Sequence, residues 1–155
     1  MEKIIITGAN GFIGSFLTKK LLENDFEVTS LVRYGSNIDL LPENSNIVFI
    51  DYDDEKKVQN VFQNKEILIH CAALTRALNW DFYKKINIDL TAKLVDSFNS
   101  TQSLKQFIFL SSQAAAGPSI EGEPLSENDV EHPISLYGKS KLEAENIIKQ
   151  KSEKP

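Results

Sequence analysis

The sequence predicts an α/β fold, a doubly wound parallel sheet with helices on both faces. Short apolar runs alternate with segments of helical period, and this alternation is typical of a parallel sheet. A glycine-rich turn joins the first apolar run to the first helical segment. The 155 residues, 41% of them hydrophobic, suit one domain. We therefore expect a single domain over residues 1–150 and a frayed tail over 151–155.

The predicted strands and helices follow one another along the chain. Apolar and β-branched runs predict strands over Lys3–Thr7, Phe26–Val32, Ile47–Ile50, Glu66–Cys71 and Phe107–Leu110. Apolar residues at helical spacing predict helices over Phe12–Leu22, Asp54–Phe62, Asp81–Asn99 and Leu136–Ile148. Repeated glycine and proline residues predict a loop over Gln113–Pro133.

Composition restricts the classes of partner and compartment. The net charge of -5 disfavours nucleic acid and membrane surfaces, which an acidic protein repels. Cys71 is the only cysteine, and the chain runs from Met1 directly into a strand without a leader, so we expect a cytoplasmic protein. No apolar run approaches the roughly 20 residues of a membrane span. No metal site is expected, since His70 lacks a second ligand at metal-binding spacing.

The turn after the first strand reads TGANGFIG and contains three glycines, each three residues after the last. Gly8 allows a sharp turn, Gly11 allows the backbone to approach a pyrophosphate, and Gly14 allows the helix to pack closely on the strand. The positive end of the helix then faces the phosphates. The alternative is a tight turn without a ligand. The strand before it and the helix after it favour dinucleotide binding, and the absence of G-K-[ST] excludes a P-loop hydrolase.

This glycine turn resembles that of the extended short-chain dehydrogenase/reductase family, which includes sugar-nucleotide epimerases and dihydroflavonol-reductase-like enzymes. Further family patterns follow in order: Asp51 after the third strand, HCAA after the fourth, Asn87 in the next helix, Ser112 after the fifth, and then YGKSK. The resemblance implies a Rossmann-type fold. Family members continue for about as many residues again, so we expect a chain truncated before the last strands and the C-terminal substrate lobe.

The resemblance also implies which residues contact a nicotinamide dinucleotide. These are Gly8, Asn10, Gly11, Phe12, Ile13, Gly14, Arg33, Asp51, Tyr52, Cys71, Ala72, Ala73, Tyr137 and Lys141. NAD-specific proteins place an acid at the end of the second strand, whereas Arg33 stands there and favours NADP over NAD. Two alternatives remain: Arg33 is simply solvated, or Asp51 caps the helix that starts near Asp54 instead of accepting a hydrogen bond from adenine.

Tyr137 and Lys141 are four residues apart, so both side chains emerge on one helix face. A free phenol ionises only near about pH 10, and an adjacent ammonium favours the phenolate. The resemblance makes Tyr137 the acid or base and Lys141 its partner. Ser112, aligned through Gly117 in preference to Ser111, orients the substrate oxygen. Asn87 fixes the local backbone and a water in the proton path, or serves structure alone.

Two departures from the family pattern narrow the expected reaction. Gln113 and Ala114 stand where dehydratases carry Asp-Glu, and Ala116 replaces a common tyrosine. We therefore expect an NAD(P)-dependent oxidoreductase or epimerase acting on a nucleotide sugar or a related hydroxyl or carbonyl substrate. The alternative is a non-catalytic dinucleotide-binding module or an inactive fragment. The resemblance also implies a homodimer formed through the helices near 81–99 and 137–148.

Overall fold

The computed structural model describes residues 2–119 and 122–154 and divides the chain into two compact units. The first unit contains the residues up to Ala72, Leu94–Leu110, and the residues from Ser152 onward. The second unit contains Ala73–Lys93 and Ser111–Lys151.

The first unit contains a five-stranded parallel sheet. Its strands are β1 (Lys3–Thr7), β2 (Glu27–Arg33), β3 (Asn46–Ile50), β4 (Ile67–His70) and β5 (Gln106–Phe109). The strand order is β3-β2-β1-β4-β5, and every neighbouring pair is parallel. Each predicted strand boundary lies within one residue of the observed one. The direction of winding reverses between β1 and β4, and ligands bind at such a switch point in α/β sheets.

Helices cover both faces of this sheet. Ile4, Ile6 and Ile69 belong to one buried cluster, against which Leu17 and Leu21 of helix α1 (Phe12–Glu23) pack. Because neighbouring residues of a strand point to opposite faces, the side chains of residues 5, 68 and 107, which are in register, lie on the other face. The ring of Phe98 contacts that of Phe107 there, with centroids 5.6 Å apart. The predicted doubly wound sheet is therefore confirmed.

The remaining helices differ from the predicted ones in two places. They are α2 (Glu55–Phe62), α3 (Trp80–Tyr83), α4 (Leu90–Ser100), α5 (Gln113–Ala116) and α6 (Leu136–Lys151). The single helix predicted over 81–99 is interrupted, because Lys84–Asp89 forms a π-helical segment between α3 and α4. The predicted loop over Gln113–Pro133 begins with the short helix α5. The side chain of Ser112, which accepts a hydrogen bond from the Ala114 N–H, caps this helix.

Lys154, which lies in the tail that we expected to fray, makes several side-chain contacts. Helix α6 continues to Lys151. The Lys154 ammonium donates to the carbonyls of Thr101 and Leu104, each at 2.9 Å, and lies 4.5 Å from the centroid of the Phe98 ring. These contacts give the ammonium two acceptors and an aromatic face.

Across residues 2–119 and 122–154, no helix combines the length and the hydropathy needed to cross a lipid bilayer.

Candidate functional site

The glycine turn lies at the carboxyl end of β1, beside the end of β4. Gly8 has a φ of +67°, and a Cβ there would lie 2.6 Å from the Cα of Ala72. A Cβ on Gly14 would lie 2.2 Å from the carbonyl oxygen of Gly8. Real Cβ atoms do not approach other atoms so closely, so neither position accommodates a side chain. The turn is therefore a cradle of closely packed backbone.

Helix α1 begins at this cradle without a side-chain cap. Its N-cap residue is Gly11, whose backbone is extended and whose N–H donates to the Gly8 carbonyl at 3.1 Å. The first-turn N–H groups of an uncapped helix can donate to an anion. Phe12 and Ile13, at the start of the helix, are exposed. Asn10 donates from its amide to the Asn37 carbonyl at 2.9 Å, which ties the turn to the loop after β2.

Residues at the ends of β1 and β4 support the cradle from within the sheet. The Thr7 hydroxyl oxygen lies 2.6 Å from the His70 Nδ1 and accepts a hydrogen bond from the Ala72 N–H at 3.4 Å. His70 is fully buried, and its ring packs against those of Phe107 and Phe109. These contacts give His70 a structural role at the end of β4.

Positive charge lies beside the end of β2. Arg33 is exposed at the last position of that strand. The next residue, Tyr34, stacks on Phe49, and the Lys57 ammonium donates to the Tyr34 hydroxyl and lies 4.9 Å from its ring centroid. Burial raises the pKa of the Tyr52 hydroxyl, and the positive charge of Arg33 partly opposes this shift.

The alternative role considered for Asp51 is wrong. Asp54 is the N-cap of α2, because its carboxylate accepts the Lys57 N–H at 3.0 Å. Asp51 is exposed and accepts the N–H of Asp53 at 3.0 Å, which forms a local turn before the start of α2. Asp51 thus does not cap the helix.

The second unit contains Ser112, Tyr137, Lys141 and Asn87. Tyr137 is half-buried in the first turn of α6, with its ring centroid 6.5 Å from that of Tyr83. Lys141 is 1% exposed on the same helix. The Ser112 oxygen accepts the Ala114 N–H at 3.2 Å. Each of the predicted catalytic side chains therefore lies in one compact unit.

Backbone contacts pack the segment after Ser112 against neighbouring residues. A Cβ on Gly138 would lie 2.1 Å from the Ala114 carbonyl oxygen, so α5 and α6 touch there through their backbones. Gly117 ends α5 with a φ of +93°, and a Cβ at this residue would lie 2.4 Å from the His132 carbonyl oxygen. Glycine is therefore required by space at both positions.

Asn87 lies in the π-helical segment and is 2% exposed. Its side-chain oxygen accepts the Leu74 N–H at 2.7 Å, and its amide group donates to the Leu74 carbonyl at 3.0 Å and to the Ser140 hydroxyl at 2.9 Å. Ser140 in turn donates to the Tyr137 carbonyl at 2.7 Å. Asn87 therefore fixes the backbone near Leu74 to helix α6.

The sequence analysis missed two residues of the second unit, Glu145 and Tyr83. The Ser111 hydroxyl donates to the Glu145 carboxylate. The hydroxyl of buried Tyr83 accepts the Ala77 N–H and donates to the Thr75 carbonyl. Their spacing in the sequence could have identified them. Glu145 follows Lys141 by four residues, and Tyr83 precedes Asn87 by four, so each shares a helix face with a residue already predicted.

In the described ranges, 2–119 and 122–154, no group of three or more His, Cys, Asp or Glu side chains could hold a metal ion.

The strand order, the switch point and the crowded glycine turn together define a Rossmann-type dinucleotide-binding fold. Residues 4–154 match the NAD dependent epimerase/dehydratase family. The chain belongs to this family, which confirms the resemblance to the extended short-chain dehydrogenases/reductases.

Similar proteins act on different substrates. The chain is 31% identical to a UDP-glucose 4-epimerase of Vibrio cholerae, over 95% of this chain and 46% of that protein. It is 29% identical to a decarboxylating sterol-4-alpha-carboxylate 3-dehydrogenase of Dictyostelium discoideum, over 96% and 48%. The structure of a Bacillus cereus UDP-glucuronic acid 4-epimerase in complex with UDP-glucuronic acid and NAD is similar at a TM-score of 0.82 and 28% identity, over 96% and 51%. The chain thus spans about half the length of these relatives.

Proposed function

We propose that this chain is the dinucleotide-binding and catalytic part of an NAD(P)-dependent oxidoreductase or epimerase. The proposed substrate is a nucleotide sugar or a related hydroxyl or carbonyl compound. One observation carries the proposal: Tyr137, Lys141 and the serine turn, which is residues 111–114 around Ser112, belong to one compact unit, in a chain that also has a glycine cradle at the switch point of its sheet.

We assign dinucleotide binding to the first unit together with small residues after β4. The cradle at Gly8, Gly11 and Gly14 and the uncapped start of α1 fit a pyrophosphate, and exposed Asp51 fits an adenine amino group. We assign the remaining contacts predicted from the sequence as well, namely Asn10, Phe12, Ile13, Tyr52, Cys71, Ala72 and Ala73. The small side chains after β4 leave room for the nicotinamide ribose.

For the cofactor, we propose NADP in preference to NAD. Arg33 and Lys57 place two cations beside the end of β2, where a 2′-phosphate would bind. The family description and the NAD in the Bacillus cereus structure support the competing choice.

Calorimetric titration of the chain with NADP and NAD tests this preference. We expect tighter binding of NADP, and an Arg33→Ala variant that weakens NADP binding by about tenfold or more while leaving NAD within about twofold. Lys56→Ala, which removes an exposed cation on the same helix as Lys57, is the matched control and should change neither affinity. Equal affinities for the two dinucleotides in the unmodified chain would contradict the assignment.

A bound nicotinamide supplies the acceptor or donor of a hydride; the chain supplies the proton transfer and the orientation. We assign to Tyr137 the removal or return of the proton of the substrate hydroxyl. The charge of Lys141 stabilises the phenolate form of Tyr137, which accepts the proton during its removal and is left after its return. Because the Ser112 oxygen already accepts the Ala114 N–H, its own hydrogen can donate to the substrate oxygen.

Asn87 has a different role in this proposal. Both hydrogens of its amide and its oxygen are engaged by Leu74 and Ser140. We therefore assign Asn87 to holding the backbone around the site, without contact to the substrate.

Turnover tests the catalytic assignment, with UDP-glucose as the first probe. Tyr137→Phe should lower kcat by roughly 10²- to 10⁴-fold, the range of general acid–base catalysis, and leave dinucleotide binding within about twofold. Tyr34→Phe is the control and should retain kcat. A chain that binds the dinucleotide but turns over none of a panel of nucleotide sugars supports the alternative, a non-catalytic binding module. A chain that binds neither dinucleotide contradicts both.

We further propose a cytoplasmic homodimer. The sole cysteine, Cys71, cannot form a disulfide within the chain, which suits a reducing compartment. Phe82 of α3 and Leu136 of α6 are large exposed apolar side chains on the helices assigned to the dimer contact. Sedimentation equilibrium should give the mass of two chains, and a monomer at micromolar concentration would contradict the proposal.

A further inference from the structure

The serine turn is joined to helix α6 by a side-chain hydrogen bond that the catalytic assignment does not use. The Ser111 hydroxyl donates to the carboxylate of Glu145. Both side chains are half-buried, and the two residues are 34 positions apart in the sequence. A hydroxyl bound to a carboxylate forms a charge-assisted hydrogen bond, which is stronger than one between neutral groups.

The position of Glu145 on α6 connects this bond to the site. Glu145 follows Lys141 by four residues and Tyr137 by eight, so the three side chains emerge on the same side of the helix. Ser111, at the other end of the bond, immediately precedes Ser112. The bond therefore links the helix of the proposed acid–base pair to the residue before the proposed substrate-orienting serine.

A second anchor holds the turn on its other side. The Ala114 carbonyl touches the backbone of α6 at Gly138, next to Tyr137. Ser112 thus lies between two attachments to one helix, at residues 111 and 114. Its own oxygen accepts the Ala114 N–H, so the direction of its hydroxyl depends on the position of that turn.

We propose that Glu145 is a positioning residue, which sets the location of the Ser112 hydroxyl relative to Tyr137 and Lys141 by holding Ser111. It touches neither substrate nor cofactor. The proposal rests on the function proposed above. A displacement of about 1 Å in a reacting group can cost about 10²-fold in rate, so one anchor of this turn affects turnover without forming part of the chemistry.

Five variants of the chain test the proposal: Glu145→Ala, Glu145→Gln, Ser111→Ala, the double variant Ser111→Ala with Glu145→Ala, and the control Glu143→Ala. Glu143 is exposed on the same helix, so its removal reports on the helix alone. Ser111→Ala deletes one hydroxyl and keeps the test available if Glu145→Ala does not fold.

The first readout is the backbone amide NMR spectrum, which needs no turnover. We expect Glu145→Ala and Ser111→Ala to shift or broaden the amide signals of residues 111–117, and the double variant to add nothing further. Glu145→Gln retains an acceptor oxygen and should largely restore the signals, and Glu143→Ala should leave them unchanged. Unchanged signals of residues 111–117 in both single alanine variants would overturn the proposal.

The second readout separates positioning from general damage. Glu145→Ala should lower kcat by about tenfold to a hundredfold, with KM and the dinucleotide Kd within about twofold. Equal losses in kcat and in dinucleotide affinity would indicate general unfolding and overturn the proposal. If the unmodified chain does not turn over, the proposed catalytic function fails, whereas the NMR readout still decides whether Glu145 positions the turn.

Discussion

The glycine turn of the first unit and the polar cluster of the second unit, which is Asn87 and Glu145 with their hydrogen-bond partners, are stabilised by different kinds of contact. At Gly8 and Gly14 the backbone comes so close to other backbone that no side chain fits. Around Asn87 and Glu145, by contrast, side-chain hydrogen bonds join segments that are distant in sequence. The first region should therefore be damaged by added atoms, and the second by removed atoms.

The largest effect is expected from an added methyl group in the turn. Gly14→Ala places a Cβ 2.2 Å from the Gly8 carbonyl oxygen, so helix α1 must move away from β1. We expect a loss of roughly 3 kcal/mol in the free energy of unfolding and loss of dinucleotide binding, measured by urea denaturation and calorimetry.

The matched control is Gly35→Ala. A Cβ at Gly35 meets no atom within 4 Å, although its φ of +75° strains an alanine. We expect a loss of about 1 kcal/mol from the backbone conformation alone. Equal losses at residues 14 and 35 would show that crowding does not distinguish the turn.

A smaller effect is expected from removed atoms in the cluster. Asn87→Ala deletes three hydrogen bonds and leaves the Leu74 N–H and carbonyl without their side-chain partner. We expect a loss of about 2 kcal/mol in the free energy of unfolding. Asn146→Ala, at an exposed position of α6, should change it by less than about 0.5 kcal/mol. Similar values for the two variants would contradict the role given to Asn87.

The smallest effect is expected where side-chain contacts of the first unit face solvent. The Lys105 ammonium and the Lys3 N–H donate hydrogen bonds to Glu66 and hold the pKa of its carboxyl below the usual value of 4.5. A lowered pKa stabilises the fold above the unfolded-state value, and this stabilisation disappears as the pH falls through the folded-state value.

Glu66→Gln should therefore be slightly less stable than the unmodified chain at pH 7, and this difference should be smaller at about pH 3, because the carboxyl group becomes protonated as the pH falls toward its folded-state pKa. Denaturation at the two pH values measures the difference, with exposed Glu2→Gln as the control. A difference that persists unchanged at the lower pH would refute the electrostatic origin.

The sheet could be predicted from the sequence because its signals are local. A run such as KIIIT is enough to predict a strand, and all five predicted strands begin and end within one residue of the observed ones. The π-helical segment Lys84–Asp89 has no such signal, because its residues keep helical spacing on either side. Helix α5 was missed for a related reason, since four residues between a serine cap and a glycine are too few to show a period.

The sequence alone was enough to identify the fold class, the family, and Gly8, Gly14, Tyr137 and Lys141 as candidate site residues. These inferences depend on the sizes of residues and on their spacing over a few positions. Such local patterns are visible in the sequence wherever a strand, a turn and a helix follow one another.

Only the tertiary structure decided which side chains meet. Ser111 meets Glu145 across 34 positions, and Lys154 meets Thr101 across 53. Such partners depend on where the folded backbone brings distant residues together, and no local pattern of residue types contains that information.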